Sequence, residues 1–254
     1  MCISVEKEYK ICYSILRRAV IILVMAESFE LEKEVLAGVS CIAVPIEIFL
    51  PRVGEPIITA YSFCMENARD FEQKYRSDLL GDRAIKALED EFKAIAKRIG
   101  YRHFFCENEM MLEYVFEPDM QVTKTDPGVK VHKISSNAVL KELCKNSGCD
   151  IEISDDGEDI LFAVVENGMI LAYAGMNDVA YADDSVEISV ETATEHRRKG
   201  YALACVSALT EHLISKGIKV RYKCSEANSP SSALAEKCGF VLEGKRYSFV
   251  CEKI

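Results

Sequence analysis

The chain has 254 residues, 49% of them hydrophobic, with a mean hydropathy of +0.02, which is enough apolar material for one large packed domain or two ordinary ones. A formal net charge of −10 and a pI near 5.1 weigh against sequence-independent binding to nucleic acid, which draws on a surplus of lysine and arginine. Met1 to Lys10 is polar and charged, unlike a secretory leader, and the longest apolar run, Ala19 to Ala26, is too short to span a bilayer. The eleven cysteines are odd in number and scattered, without a CxxC pair or a histidine at ligand spacing. They read as reduced, mostly buried small hydrophobes, and the expected compartment is the cytoplasm, with no membrane partner and no metal.

In chain order, residues 1 to 80 carry apolar runs, Ala19 to Val24 and Ile42 to Phe49, that suit helix or strand equally. Asp82 to Gly100 is an amphipathic helix, with Ile85, Leu88, Phe92, Ile95 and Ile99 on one stripe. Tyr101 to Cys106 and Met111 to Phe116 read as strands. Thr123 to Gly128 ends in Asp-Pro-Gly, a turn signal, and sets the expected boundary: an α+β unit of unknown role at 1–128 and a second domain at 129–254.

The second part predicts a strand at Val129 to Ile134, a helix from Ser136 to about Lys145, and an acidic loop over Asp150 to Asp159. Ile160 to Val165 and Met169 to Ala174 are joined by Glu166-Asn167-Gly168, a hairpin signature because Asn-Gly accepts positive φ. In Val186 to Thr192 the apolar Val186, Ile188 and Val190 alternate with Glu187, Ser189 and Glu191. A helix follows from Leu203 to Lys216, closed by Gly217, then a strand from Ile218 to Cys224. Ser229 is the expected cap of the next helix, with Pro230 at its first position, and Gly239 ends it. Phe240 to Leu242 and Arg246 to Glu252 are expected as a strand pair around Glu243-Gly244-Lys245.

The sharpest signal is His196-Arg197-Arg198-Lys199-Gly200-Tyr201-Ala202, set between a strand and a helix. A chain that turns from strand into helix points its first N–H groups outward, where the positive end of the helix dipole favours anions. Gly200 permits close backbone approach, Ala202 adds no bulk, and Arg197, Arg198 and Lys199 bring positive charge. Together these features read as a pyrophosphate cradle.

Arg197-x-x-Gly200-x-Ala202, followed by a strand, Asn228, a helix and Gly239-Phe240, resembles the GNAT superfamily of acyl-coenzyme A dependent N-acyltransferases over roughly residues 129 to 254. Arg-Arg-Lys-Gly-Tyr-Ala-Leu-Ala-Cys and Ser-Ala-Leu-Ala-Glu-Lys-Cys-Gly-Phe look like the branch that includes zwittermicin A self-resistance acetyltransferases. The resemblance implies a mixed α/β fold whose mostly antiparallel sheet is flanked by helices. It also implies acetyl-CoA as cosubstrate. Backbone groups of Val190, Glu191 and Thr192 would pair with the pantetheine arm, amides of Arg197, Arg198, Lys199, Gly200, Tyr201 and Ala202 would hold the pyrophosphate, and Asn228 would reach the pantetheine.

Acyl transfer from a thioester to an amine needs a base that leaves the amine neutral and a route for the thiolate to take a proton. Glu187 is the leading base and Glu191 the fallback; either could instead be an ordinary strand carboxylate in solvent. Many members carry a tyrosine as general acid where this chain has Ala235, so Ser231, Ser232 or water must substitute, or the thiolate departs unaided. His196 reads as a surface or packing residue. Asp155, Asp156, Glu158 and Asp159 read as a solvated loop or, more sharply, as the rim of a cleft for a cationic amine. The expected activity is N-acetylation of a primary amine on a small molecule, in a protein with room for a homodimer. The alternatives are a catalytically quiet acyl-CoA binding module and an enzyme acetylating a protein.

Overall fold

A computed structural model describes residues 36–38, 42–103, 110–144, 149, 151, 160–177, 181 and 183–254. The apolar run at 19–26 and the acidic loop residues Asp155, Asp156, Glu158 and Asp159 lie outside the described residues. Ile42–Pro51 is a strand, β1, and pairs with the short edge strand β2, Ile57–Ala60. Two helices follow, α1 at Met65–Tyr75 and α2 at Asp82–Arg98. Beyond them come β3 at Tyr101–His103, β4 at Met111–Phe116, β5 at His132–Ile134, α3 at Asn137–Cys144, β6 at Leu161–Glu166, β7 at Met169–Met176 and β8 at Val186–Thr192. The chain finishes with α4 at Tyr201–Ile214, β9 at Val220–Ser225, α5 at Ser229–Cys238 and β10 at Val241–Lys253.

These strands form one mixed, mostly antiparallel sheet in the order β2-β1-β10-β4-β9-β8-β7-β6-β5, with β3 also on β10. The parallel pair is β8 with β9, and α4 makes the crossover between them, as a parallel connection requires. β4 lies between β9 and β10, so the sheet runs continuously across residue 128 and joins strands from both sides of it.

One sheet face carries most of the helices. Ile46, Ile48, Tyr247 and Phe249 pack with Leu88 and Phe92 of α2, while Tyr114, Ile188, Tyr222 and Leu242 pack with Val206 and Leu209 of α4 and with Ala235 of α5. β10 keeps both groups on this face because a register shift between Leu242 and Gly244 resets its alternation. At the β5–β7 end of the opposite face, Ile134, Leu161, Ala163 and Ile170 pack with Leu140 of α3. Cys64, Cys149, Cys205, Cys224, Cys238 and Cys251 are free and buried, as expected for reduced thiols; Cys2, Cys12, Cys41 and Cys106 lie outside the described residues.

Local expectations change at β10 and at α5. Glu243-Gly244-Lys245 is no turn: β10 runs unbroken through it, because β1 pairs alongside from Pro51↔Gly244 to Ile42↔Glu252. Gly244 is there for proximity, since a Cβ would sit 2.4 Å from the Leu50 carbonyl oxygen and 2.7 Å from the Phe49 ring. The cap of α5 is Asn228 instead of Ser229: Asn228 Oδ1 accepts from the Ser231 amide at 3.2 Å, moving the helix start back one residue. α1 and β2 had no sequence signal clear enough to place them. The hairpin at Asn167-Gly168 matches its reading, with φ of 51° and 76°.

Candidate active site

β8 pairs with β7 along Ile188 to Thr192, but its parallel ladder with β9 runs only from Val186↔Val220 to Ile188↔Tyr222. Beyond that point β8 and β9 separate, leaving a gap in the middle of the sheet next to Val190, Glu191 and Thr192. The sheet is thus opened at the strands nearest the cradle, where an extended chain could lie along β8 as a further strand would.

The cradle follows directly. After a short 3-10 turn at Thr194–His196, Arg197 is extended, Arg198 has φ of 66° and Gly200 has φ of 81°. Two left-handed residues in three turn successive amides toward one side, and α4 then begins with no side-chain cap on its first N–H groups. A Cβ at Gly200 would meet nothing within 4 Å, so glycine is required there by its left-handed backbone and not by crowding within the chain. Arg197, Arg198 and Lys199 are exposed. Arg197 Nε donates to the Thr192 carbonyl at 3.3 Å, tying the cradle to the end of β8. Lys199 Nζ lies 3.3 Å from His196 Nδ1, and the Tyr201 hydroxyl donates to Glu166 at 3.3 Å. His196 therefore packs beside Tyr201 and Lys199.

Asn228 stands at the start of α5, next to the open end of β9. Its Oδ1 is committed to the cap, and the side-chain NH2 group is what it can offer a ligand. At Ala235 the side chain is fully buried. In β9, the strand that directly precedes α5, Tyr222 packs under α5 and its hydroxyl lies 2.8 Å from Ser231 Oγ, one helical turn before Ala235 on the same side of α5. Burial pushes the Tyr222 phenol up to about 12. Ser232 Oγ donates to the Ser229 carbonyl at 3.2 Å, an ordinary helical back-bond.

Glu187 and Glu191 project from the face of β8 opposite Ile188 and Val190, as the alternation requires. Glu191 is half-buried beside Tyr173 of β7. Glu187 is no solvated strand carboxylate: it is 2% exposed. Asn177 Nδ2 donates to it at 2.9 Å, the Tyr181 hydroxyl makes a short hydrogen bond to Oε2, and Lys223 Nζ stands 3.7 Å from the same oxygen. The Tyr181 ring lies under Arg221 and Lys223, with cation-to-centroid distances of 4.7 and 5.5 Å.

Lys223 continues from Glu187 a row of alternating charge that crosses five strands, β8, β9, β4, β10 and β1. Its ammonium is 2.7 Å from Glu113 Oε1; Glu113 takes a two-pronged guanidinium from Arg246 at 2.6 and 3.0 Å; Arg246 also bonds Glu47, which accepts from Ser248 at 2.7 Å. Burial pushes the Glu113 carboxyl up, but the charges of Lys223 and Arg246 together outweigh it and hold it at about 2. A parallel set joins Arg221 to Ser185, Asp183 and Glu243 at 2.7, 3.0 and 2.6 Å. Sequence reasoning missed these partners. The available signal was a charge inside an apolar strand: Glu113 between Leu112 and Tyr114, and Lys223 between Tyr222 and Cys224.

The gap, the cradle, Asn228 and the buried glutamate all fall inside or beside one stretch of sequence. Residues 160–249 match the GNAT acetyltransferase family model. No curated protein matches the chain. Among solved structures, it is similar to a GNAT-family protein from Novosphingobium aromaticivorans (18% identity over 61% of this chain and 68% of that one, TM-score 0.49). It is similar also to a GCN5-related N-acetyltransferase-like protein from Streptococcus suis (16%, 91% and 100%, TM-score 0.47) and to a GCN5-related N-acetyltransferase from Sphaerobacter thermophilus (14%, 82% and 75%, TM-score 0.46). Among the described residues no group of three or more His, Cys, Asp or Glu is placed to hold a metal, and no helix is long and apolar enough to cross a membrane.

Proposed function

We propose that the protein is a cytoplasmic N-acetyltransferase that moves an acetyl group from acetyl-CoA to a primary amine of a small molecule. The observation that carries this reading is the juxtaposition of the β8/β9 gap with the uncapped, left-handed turn at Arg198–Gly200. Open space over Gly200 and three exposed cations suit a diphosphate, and the gap suits an extended arm. Arg198, Lys199 and the amides from Gly200 to Ala202 would hold the diphosphate, Val190 to Thr192 and Asn228 the arm. Acetyl-CoA supplies a thioester as the acyl donor.

The chain's own groups then supply the proton chemistry. An amine attacks only when neutral, and Glu187 is the carboxylate fitted to take its proton. With the carboxylate at 2% exposure, the proton reaches it through water or through the Tyr181 hydroxyl, which can receive one proton while passing its own to Oε2. In place of a tyrosine at 235, α5 offers the Ser231 hydroxyl, backed by Tyr222.

The absence of a phenol at Ala235 favours one second reading, an acyl-CoA binding module without turnover. Release of free thiol in the presence of a panel of small amines separates the two, with titration calorimetry against coenzyme A as the common check. Heat of binding and steady thiol release support the enzyme, heat without release supports the module, and absence of heat ends both.

A further inference from the structure

The geometry points to Lys223 as a positioning residue that holds the Glu187 carboxylate in place and keeps it ionised, ready to take a proton from the acceptor amine. This rests on the reading of Glu187 as the base. Lys223 is more than a counter-ion for Glu113, because Arg246 already satisfies both oxygens of Glu113 with a guanidinium fork. Within the buried row, Glu47, Glu113 and Glu187 face two cations, Lys223 and Arg246, so Lys223 is shared: 2.7 Å from one carboxylate and 3.7 Å from the other.

Its placement follows from the topology. Lys223 is one residue past the last ladder pair of β8 with β9, and so stands at the mouth of the gap on the same face as Glu187. Arg221, the register partner of Glu187, is turned to Asp183, Glu243 and Ser185. Among the described residues, the charged and titratable groups around Glu187 include Lys223 and Arg221 from β9, Tyr181 and Asp183 from the segment before β8, and Glu113 from β4 behind Lys223, with Asn177 at the end of β7. The Lys223 side chain is 9% exposed, so its charge reaches Glu187 with little screening. A positive neighbour within 4 Å favours the ionised carboxylate.

The test is the pH profile of kcat/KM for thiol release in the parent, Glu187→Gln, Lys223→Met, Lys223→Arg and the double variant Lys223→Met/Glu113→Gln. The double variant removes one charge of each sign from the row and so keeps a folded protein if the single variant fails to give one. Expected are an acidic limb moved to higher pH by about one unit in Lys223→Met and in the double variant, partial recovery in Lys223→Arg, and an unchanged affinity for coenzyme A. If the limb stays in place in both methionine variants while Glu187→Gln abolishes it, the role of Lys223 is overturned and the base reading stands. If Glu187→Gln keeps the limb and the rate, the base reading itself is overturned, and the role of Lys223 with it.

Discussion

The two faces of the sheet solve different problems with the same strands. Under α2, α4 and α5 the face is apolar and closely packed, with Phe92 and Phe249 5.8 Å apart and Phe116 edge-on to Phe240. On the other face, from β8 to β1, the interior positions are Glu187, Lys223, Glu113, Arg246 and Glu47. Aliphatic side chains at those positions would hold the strands together as well or better, because desolvating paired charges costs about what their attraction returns. What the charged face adds is fixed geometry and a field near the gap, which folding does not require and which the proposed proton transfer would use.

If that division is correct, substitutions on the two faces should separate in what they affect. The largest effect on rate belongs to Glu187→Gln, which lowers kcat/KM at neutral pH by about 10²- to 10⁴-fold while leaving the urea midpoint close to the parent's. On the helical face, Phe249→Ala costs about 3–5 kcal/mol of stability, read by urea unfolding, with coenzyme A affinity retained in the fraction that stays folded. Arg246→Met leaves Glu113 and Glu47 without their guanidinium and costs about 3 kcal/mol; adding Glu113→Gln to it recovers part of the loss, and a double variant as unstable as the sum of the two singles would contradict the row. The same carboxylate gives a pH signature. Glu113 sits at about 2 when folded against an ordinary 4.5, so its contribution to stability is complete above 4.5 and is lost as pH falls toward 2. In Glu113→Gln the acid limb of the stability curve between those values becomes shallower. The smallest effect is at the cradle: Gly200→Ala forces an L side chain into φ of 81° and costs about 1 kcal/mol in a thermal melt, yet weakens coenzyme A binding out of proportion to that cost.

How far the sequence could be read follows the same division. The apolar face announced itself by period: the stripe from Ile85 to Ile99, the alternation in Val186 to Thr192 and the Asn167-Gly168 turn each correspond to an observed element. The turn into α4 was legible because glycine, small residues and cations sit at a strand-to-helix junction, and the structure adds the left-handed Arg198 that no composition could foretell. Glu187 was singled out from its place in the alternation. Its burial was not legible, since Asn177 and Tyr181 come from the stretch between β7 and β8, which showed no pattern, and Lys223 from the distant strand β9. Gly244 misled for a related reason: a glycine flanked by charged residues looks like a turn unless one knows that Leu50 and Phe49 lie against it.

β10 has every one of its partners, β1, β3 and β4, earlier in the chain. It is the strand that joins the β2-β1 pair to the rest of the sheet. Until it inserts, β1 and β4 each present an unsatisfied edge and the helices α2 and α5 have no common floor. Assembly is then a long-range closure with slow kinetics, and removal of residues 241–253 would leave the β2-β1 pair and the strands from β4 to β5 with nothing to join them.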